Sequence, residues 1–474
     1  EVPVPPAIRT IAVLPFKPLS TGSRNESLEM GMAETLINKL SGINQLVVRP
    51  MSAVRKYTDV QQDPIKAGQD VQAEAVLDGS IQKAGDQVRV TARLINVKTG
   101  AAIWADKFDA GFTDILRVQD SISERVIQAL TLRLSGKERE QLNRHYTENS
   151  EAYQLYLQGN YLSTKQTGDR DDNLRKGLEY YQQAVEKDPK FARAYIGISE
   201  FYISGGGPKT LASEHVLKAK AAIARAFELD SNLDEAYNAR AELKYQYEFD
   251  WSGAEADFKR AIDLNPNASY FRLAYSWYLM CDGRFDQAQT ELDKAQELDP
   301  DSFRINKTQG ILFLFRRQYD KAVEHYQKMR EIEPNGIHRN QWSMSVLYEQ
   351  LGTHSEAVEQ FLEDGRVRGF LKLEEIEALR KAFTASGWQG YVRVRIDLLE
   401  EKSKKEYLAP TILAGIYALA GEKDLAFAWL EKAIDWHDGW VSLIKIQPAY
   451  DSLRADPRFT RLLQRMNLTP QVPS

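Results

Sequence analysis

A single cysteine, Cys281, stands in 474 residues. That excludes an internal disulfide framework and any cysteine-rich zinc site. On the first helix of a repeat unit, it reads as a small buried hydrophobe. Histidine is sparse too. His145, His215, His325, His338, His354 and His437 never fall at i, i+4 with a carboxylate partner, so no metal motif is supported. No stretch approaches the roughly 18 consecutive apolar residues of a membrane-crossing helix. A basic surplus is also missing. The chain holds 62 basic and 67 acidic residues, a net charge of −5. Residues 1–147 hold 19 basic and 17 acidic groups, and the rest hold 43 and 50. Neither part has the positive excess of a phosphate-backbone binder, which argues against direct nucleic-acid binding by this chain.

Catalytic signatures are equally scarce. There is no GxSxG elbow and no HExxH. Gly205-Gly206-Gly207-Pro208-Lys209-Thr210 lacks the GxxxxGK[ST] spacing and lies between helices, so it reads as an insertion in a repeat and not a phosphate loop. Asp78, Asp86, Asp106, Asp109 and Asp114 cluster around three predicted strands, where turn formation and solvation explain them. The expectation is a non-enzyme with no cofactor and no metal.

What the sequence does have is a repeat. Asp188-Pro189, Asp230-Ser231, Asn265-Pro266, Asp299-Pro300 and Glu333-Pro334 each mark a helix stop, and the last three steps are 35, 34 and 34 residues. That period, closed by proline, is the arithmetic of the tetratricopeptide repeat, a pair of helices that stacks into a superhelix. Aligned on the proline, Ala254, Phe258 and Ala261 fall over Ala288, Leu292 and Ala295, then over Ala322, Tyr326 and Met329. Small residues there let paired helices approach. Gly283 and Gly352 sit where a turn between helices requires positive φ. Weaker units flank these, segment 370–403 is helical but matches poorly, and a last unit runs through Tyr417, Gly421, Ala426, Leu430 and Ala433.

Before residue 148 the period changes. Ile11–Phe16 and Leu46–Val48 read as short strands, Leu28–Leu40 as a helix with Met32, Leu36 and Leu40 on one face, and Ser52 as the cap of a short helix. Ile65–Val71 is another short helix. Strands at 75–82, 88–97 and 102–108 read as an antiparallel meander, because Val88, Val90, Ala92 and Leu94 alternate with Arg89, Thr91 and Arg93. A long amphipathic helix, 115–134, follows. The fold class is an α+β domain with a mixed sheet followed by an all-α tetratricopeptide superhelix. Its divisions are a linker at 1–8, the α+β domain at 9–147, a solenoid of about seven or eight helix pairs at 148–438, and a helical cap and tail at 439–474. The opening Glu1-Val2-Pro3-Val4-Pro5-Pro6 has no initiator Met and no signal-peptide pattern, and reads as a proline-stiffened linker within a longer protein.

Ile11-Ala12-Val13-Leu14-Pro15-Phe16, Leu77-Asp78-Gly79-Ser80, Arg89 to Ile95, Thr99-Gly100, Trp104 and Val118-Gln119-Asp120 resemble the TolB amino-terminal-like domain. Followed by tetratricopeptide repeats, it resembles the sensory C-terminal part of CadC-like winged-helix transcriptional regulators. The resemblance implies a sensor that binds a partner or ligand and relays to a DNA-binding domain outside this chain, on the periplasmic side of the bacterial inner membrane or in the cytoplasm. A membrane tether upstream and self-association are further implications. Two other readings stay open: a free-standing periplasmic scaffold, and the regulatory half of an adenylate cyclase or protein kinase.

Placing the repeat family's inward positions on this sequence selects Leu243, Tyr247, Tyr270, Leu273, Trp277, Arg304, Lys307, Ile311, Phe315, Arg339 and Trp342. Either these aromatics pack between repeats, or they floor a groove in which Arg304, Lys307 and Arg339 receive an acidic or C-terminal carboxylate peptide. Trp104 and Asp106 are read as core and turn residues or as the lining of a ligand cleft.

Overall fold

Burial on both faces makes β1 (Thr10–Val13) the centre of the first domain: Ile11, Ala12, Val13 and Leu14 are all fully buried. The computed structural model describes residues 8–18, 24–144, 146–165, 170–204, 212–332 and 341–469. Beside β1 lie β3 (Val47–Val48) on one flank and β4 (Ala75–Ala84) on the other, both parallel to it. The sheet continues through β5 (Gln87–Asn96) and β6 (Ala102–Gly111) as an antiparallel meander, and β2 (Lys17–Pro18) pairs in parallel with β4. The mixed α+β sheet expected from the alternation is present. Helix α1 (Glu26–Ser41), capped by Asn25, buries Leu28, Met32, Leu36 and Leu40. The short α2 (Met51–Val54) and α3 (Pro64–Asp70) precede the meander, and α4 (Ile115–Ala129) and α5 (Gly136–Leu142) complete the domain.

Antiparallel helix pairs follow. They are α6 (Ser150–Thr164) with α7 (Arg170–Lys187), α8 (Ala192–Ile203) with α9 (Ala212–Leu229), and α10 (Asp234–Leu243) with α11 (Trp251–Leu264). Next come α12 (Ser269–Cys281) with α13 (Phe285–Leu298), α14 (Phe303–Phe315) with α15 (Tyr319–Ile332), and α16 (Gln341–Gln350) with α17 (His354–Val367). The poorly matching segment is α18 (Leu373–Ser403), folded into two arms at Ser386–Gly387, where Gly387 takes φ of 61°. The last pair is α19 (Pro410–Ala420) with α20 (Lys423–Asp435). The small-large-small positions are buried in each central unit, from Ala254, Phe258 and Ala261 to Ala322, Tyr326 and Met329.

The one 35-residue step has a structural cause. Helix α10 runs on into a π turn at Lys244–Glu248, which absorbs one extra residue without breaking the helix. It ends on Phe249 at φ 56°. In the following turns Gly283, Arg317 and Gly352 take the same left-handed conformation, so two of these turns use a bulky residue where glycine would be unstrained.

The α+β domain lies along the row of turns between repeats. Asn267 Nδ2 donates to the carbonyls of Ser41 and Leu46, both at 2.9 Å. Arg49 donates to Glu297 and Leu298 at 2.8 and 3.1 Å, and to Gln72 at 3.0 Å. Thr147 donates to Asp188, and Arg144 pairs with Asp230. Ser52 was expected to cap α2. Instead Pro50 occupies the cap position, and the Ser52 hydroxyl reaches Asp299 at 2.5 Å. The two domains also share apolar packing: Leu157 and Phe191 belong to the same core as Met32 and Leu36. The Cβ of any residue larger than glycine at 31 would come within 2.5 Å of Leu157, so Gly31 sets how closely α1 approaches α6.

Replacing Asn267 by alanine strands buried carbonyls of the first domain. We expect a loss of about 1–3 kcal/mol, the cost of unsatisfied buried acceptors, measured by urea unfolding followed by tryptophan fluorescence. A change within about 0.5 kcal/mol, typical of a surface substitution, would mean that the rim contact does not hold the domains together.

Candidate functional site

The first helix of each pair lines the inner face of the superhelix. Tyr270 follows Pro266 by four residues and Arg304 follows Pro300 by four. Arg193 stands in the same relation to Pro189, and Glu235 to Ser231. Seven residues, two helical turns, beyond these positions come Trp277, Ile311, Glu200 and Glu242, which two turns place on the same face. Tyr270 is 40% exposed and Arg304 is exposed. Glu200 is exposed as well, yet its carboxyl is crowded by protein: desolvation, then the charge of Glu242, pushes it up to about 7 while Arg304 pulls the other way. Burial raises Glu242 as well, and lifts the Tyr270 phenol well above its ordinary value. Side chains that are wetted and still desolvated in this way line a recess, not a convex surface.

Five of the nine expected groove residues whose side chains are described are buried. Leu273, Ile311 and Phe315 are buried in the core that joins neighbouring pairs. Leu243 and Tyr247 are buried too, and the π turn is the reason. Counting back from Pro266 crosses the extra residue, which moves the expected inward position onto Leu243 from Glu242, the residue that occupies it. The Tyr247 hydroxyl donates to the Ile203 carbonyl at 2.9 Å. Trp277 is half-buried, its ring edge-on to Phe315 at 6.5 Å, and Lys307 is half-buried near Asp364. Arg339 falls outside the described residues, as does the side chain of Trp342 and the 205–211 insertion. Among the described residues the groove floor is therefore mixed in charge. Arg304 lies among Glu200 and Glu242, which inward counting from Pro189 and Ser231 would have found.

Helix α1 closes the groove at its N-terminal end. The Thr35 and Tyr153 hydroxyls share a hydrogen bond of 2.6 Å, and Gln119 Nε2 donates to the same tyrosine at 2.6 Å. Arg193 pairs with Glu235 at 2.9 Å and lies over the Tyr146 ring at 3.5 Å. Burial raises Glu34 above the usual carboxylate range against the pull of Arg55. The crevice among these groups holds about 10 Å³, the threshold for one water molecule. It is a seam, not a ligand pocket.

Trp104 packs against the core of the first domain, one of its two expected settings, whereas Asp106 lies mid-strand and not in a turn. They lie on β6, the free edge of the sheet, where Trp104 is half-buried 6.4 Å from Phe108 and Asp106 is exposed with the Arg125 guanidinium at 4.0 Å. Charged residues on an edge strand discourage pairing with other chains. Among the described residues no group of three or more His, Cys, Asp or Glu is placed to hold a metal. None of the described helices is long and apolar enough to cross a membrane.

Residues 7–125 match the second domain of HilA/YgeH-like transcriptional regulators, and residues 276–337 match the tetratricopeptide repeat. Putative adenylate cyclase 3 of Rhizobium meliloti (strain 1021) is 28% identical over 194 residues, which is 41% of this chain and 32% of that protein. Tetratricopeptide repeat protein 37 of Xenopus laevis is 23% identical over 279 residues, 52% of this chain and 17% of that one. The chain thus spans a third or less of the length of these relatives. Among solved structures, a thermophilic tetratricopeptide protein of Thermus thermophilus aligns with 40% of this chain and 91% of its own at 18% identity and a TM-score of 0.31. The Cut9–Hcn1 assembly aligns with 75% of this chain and 69% of its own at 16% identity and 0.41. By its two family matches, the chain joins a regulator-like α+β domain to tetratricopeptide repeats.

Because Glu200 holds its proton in the folded state up to about 7, folding binds a proton between the ordinary carboxylate range and that pH. Stability contributed there falls as pH rises through this window and is level above it. Glu349, also pushed up to about 7 by burial, acts in the same direction. In Glu200→Gln the decline in Tm between pH 5 and 8 becomes shallower, with the variant gaining on the native chain at pH 8 and not at pH 4. Parallel melting curves across the range would remove Glu200 from the recess.

Proposed function

We propose that this chain is the non-catalytic sensory and protein-interaction region of a bacterial transcriptional regulator. It binds a protein or peptide partner in the repeat groove and relays that event to a DNA-binding domain outside these 474 residues. The observation that carries the reading is the seating of the regulator-like domain along the repeat turns from Asp188 to Asp299. A partner that alters the spacing of repeats must disturb those contacts, and a relay requires two states that the partner binds unequally. The resemblance to the TolB amino-terminal-like domain and to CadC-like regulators supports the same reading, with the chain on the periplasmic side of the inner membrane behind an upstream tether. Exposed Tyr270 and Arg304, flanked by Glu200 and Glu242, suit a partner segment carrying both signs of charge, in place of the purely acidic peptide that a basic floor would select.

The similarity to a putative adenylate cyclase favours a second reading, in which the same region regulates a cyclase core. Either way the groove does the sensing, so one variant tests both. The double substitution Tyr270→Ala and Arg304→Ala, introduced into the full-length protein, is expected to abolish the regulated change in reporter transcription, or in cyclic AMP for the second reading, while Tm stays within a few degrees. Regulation that survives in the folded variant would place the sensing surface outside the groove.

A further inference from the structure

Three successive turns between paired helices, which a simple solenoid would leave open to water, are covered by the C-terminal segment. On the first, Trp251 Nε1 donates to the Met466 carbonyl at 2.7 Å, Asn467 Nδ2 donates to that of Phe249 at 3.2 Å, and His437 Nδ1 lies 2.9 Å from that of Tyr247. On the second, buried Lys445 donates to the Asp282 carbonyl at 2.7 Å. On the third, Arg317 binds Asp451 at 2.6 and 3.0 Å and the Ile446 carbonyl at 3.0 Å. The segment runs outward along the turns as two 3-10 stretches, Gly439–Leu443 and Pro448–Leu453, and returns through α21 (Pro457–Arg465). At its root it is held by the last helix pair: Asp438 accepts from the Thr411 amide and hydroxyl at 3.0 and 2.6 Å, and the Tyr450 hydroxyl donates to the Thr411 carbonyl at 3.2 Å.

We propose that residues 437–469 form a clasp that ties the last repeat to the third, fourth and fifth, closing the superhelix and setting the width of its groove. Two observations point past ordinary end-capping. An end cap covers the final helices, whereas this segment bridges to units some 200 residues upstream in sequence, such as Phe249 to Asn467. The clasp also bears on the two turns that carry a bulky residue at positive φ, Phe249 and Arg317, and it bonds the carbonyl of one and the guanidinium of the other. Strained turns persist where surrounding contacts hold them. With the α+β domain on one rim and the clasp on the other, curvature is determined before any partner arrives. The clasp matters for signalling only if the groove reading holds, but its closure can be measured with no partner present.

Cys281 is a built-in reporter, since it is 1% exposed and lies beside Ser442 of the clasp. In the full-length protein its reaction with a thiol reagent under native conditions is expected to be slow. Arg317→Gly removes the Asp451 and Ile446 contacts while relieving the positive φ, and Lys445→Met removes the ammonium with its length kept. Each is expected to speed labelling at least tenfold with helical circular dichroism unchanged, and the double variant is expected to show a larger radius of gyration by X-ray scattering. Asn267→Ala, on the opposite rim, serves as the control. Labelling that stays slow in the clasp variants, or rises equally in the control at matched stability, overturns the proposal.

Discussion

Every helix ends with carbonyl groups that its own hydrogen-bond ladder cannot satisfy, and stacking helix pairs lines them up along two rims. The architecture is organised around meeting that demand. On the rim between repeats the donors come from the α+β domain: Arg49 serves Glu297 and Leu298, and Gln141 serves Leu264. Asn267 donates in the other direction, to Ser41 and Leu46 at the edge of the sheet. On the opposite rim, Lys445 serves Asp282 and Asn467 serves Phe249. Buried lysine and arginine are costly unless such carbonyls accept their N–H hydrogen bonds, so these residues specify one docking geometry as well as stabilising it.

Between the rims lies a groove whose chemistry is mixed. Glu200 and Glu242 share a recess with Arg304, so charges of both signs meet on the inner face. A surface of this kind discriminates by the order of charges on a partner more than by its total. Tyr270 adds an exposed aromatic ring among them. The apolar residues expected to share that role turn inward, because the stacking of repeats consumes them as core.

The periodicity of the chain made much of this legible. Terminal prolines at a 34-residue spacing, with alanine and a large apolar residue at fixed offsets, follow directly from the close approach of paired helices, and the buried Ala288–Leu292–Ala295 set has that cause. Alternation in β5 likewise announced its buried face. The groove was less legible. Its lining was displaced by one residue in the third unit, since an inserted residue can be absorbed by a π turn in the helix or by a loop, and the sequence does not distinguish them. Glu200 and Glu242 carried a signal, their fixed distance after a helix stop, but carboxylates on a helix ordinarily mark its wet outer face.

The amino-acid order by itself determined local matters: which segments are helix or strand, where each helix stops, which stripe is apolar, and that the solenoid repeats. These follow from side-chain volume, backbone freedom and hydrophobic period, which act within a few residues of one another. Tertiary structure alone decided which rim each domain covers, that Ser52 bonds Asp299 across 247 residues in place of capping its own helix, and that the last repeat is tied back to the third. Contacts of that kind depend on the accumulated curvature of many stacked units. A small rotation at each step decides whether distant turns meet, and no short window of sequence records it.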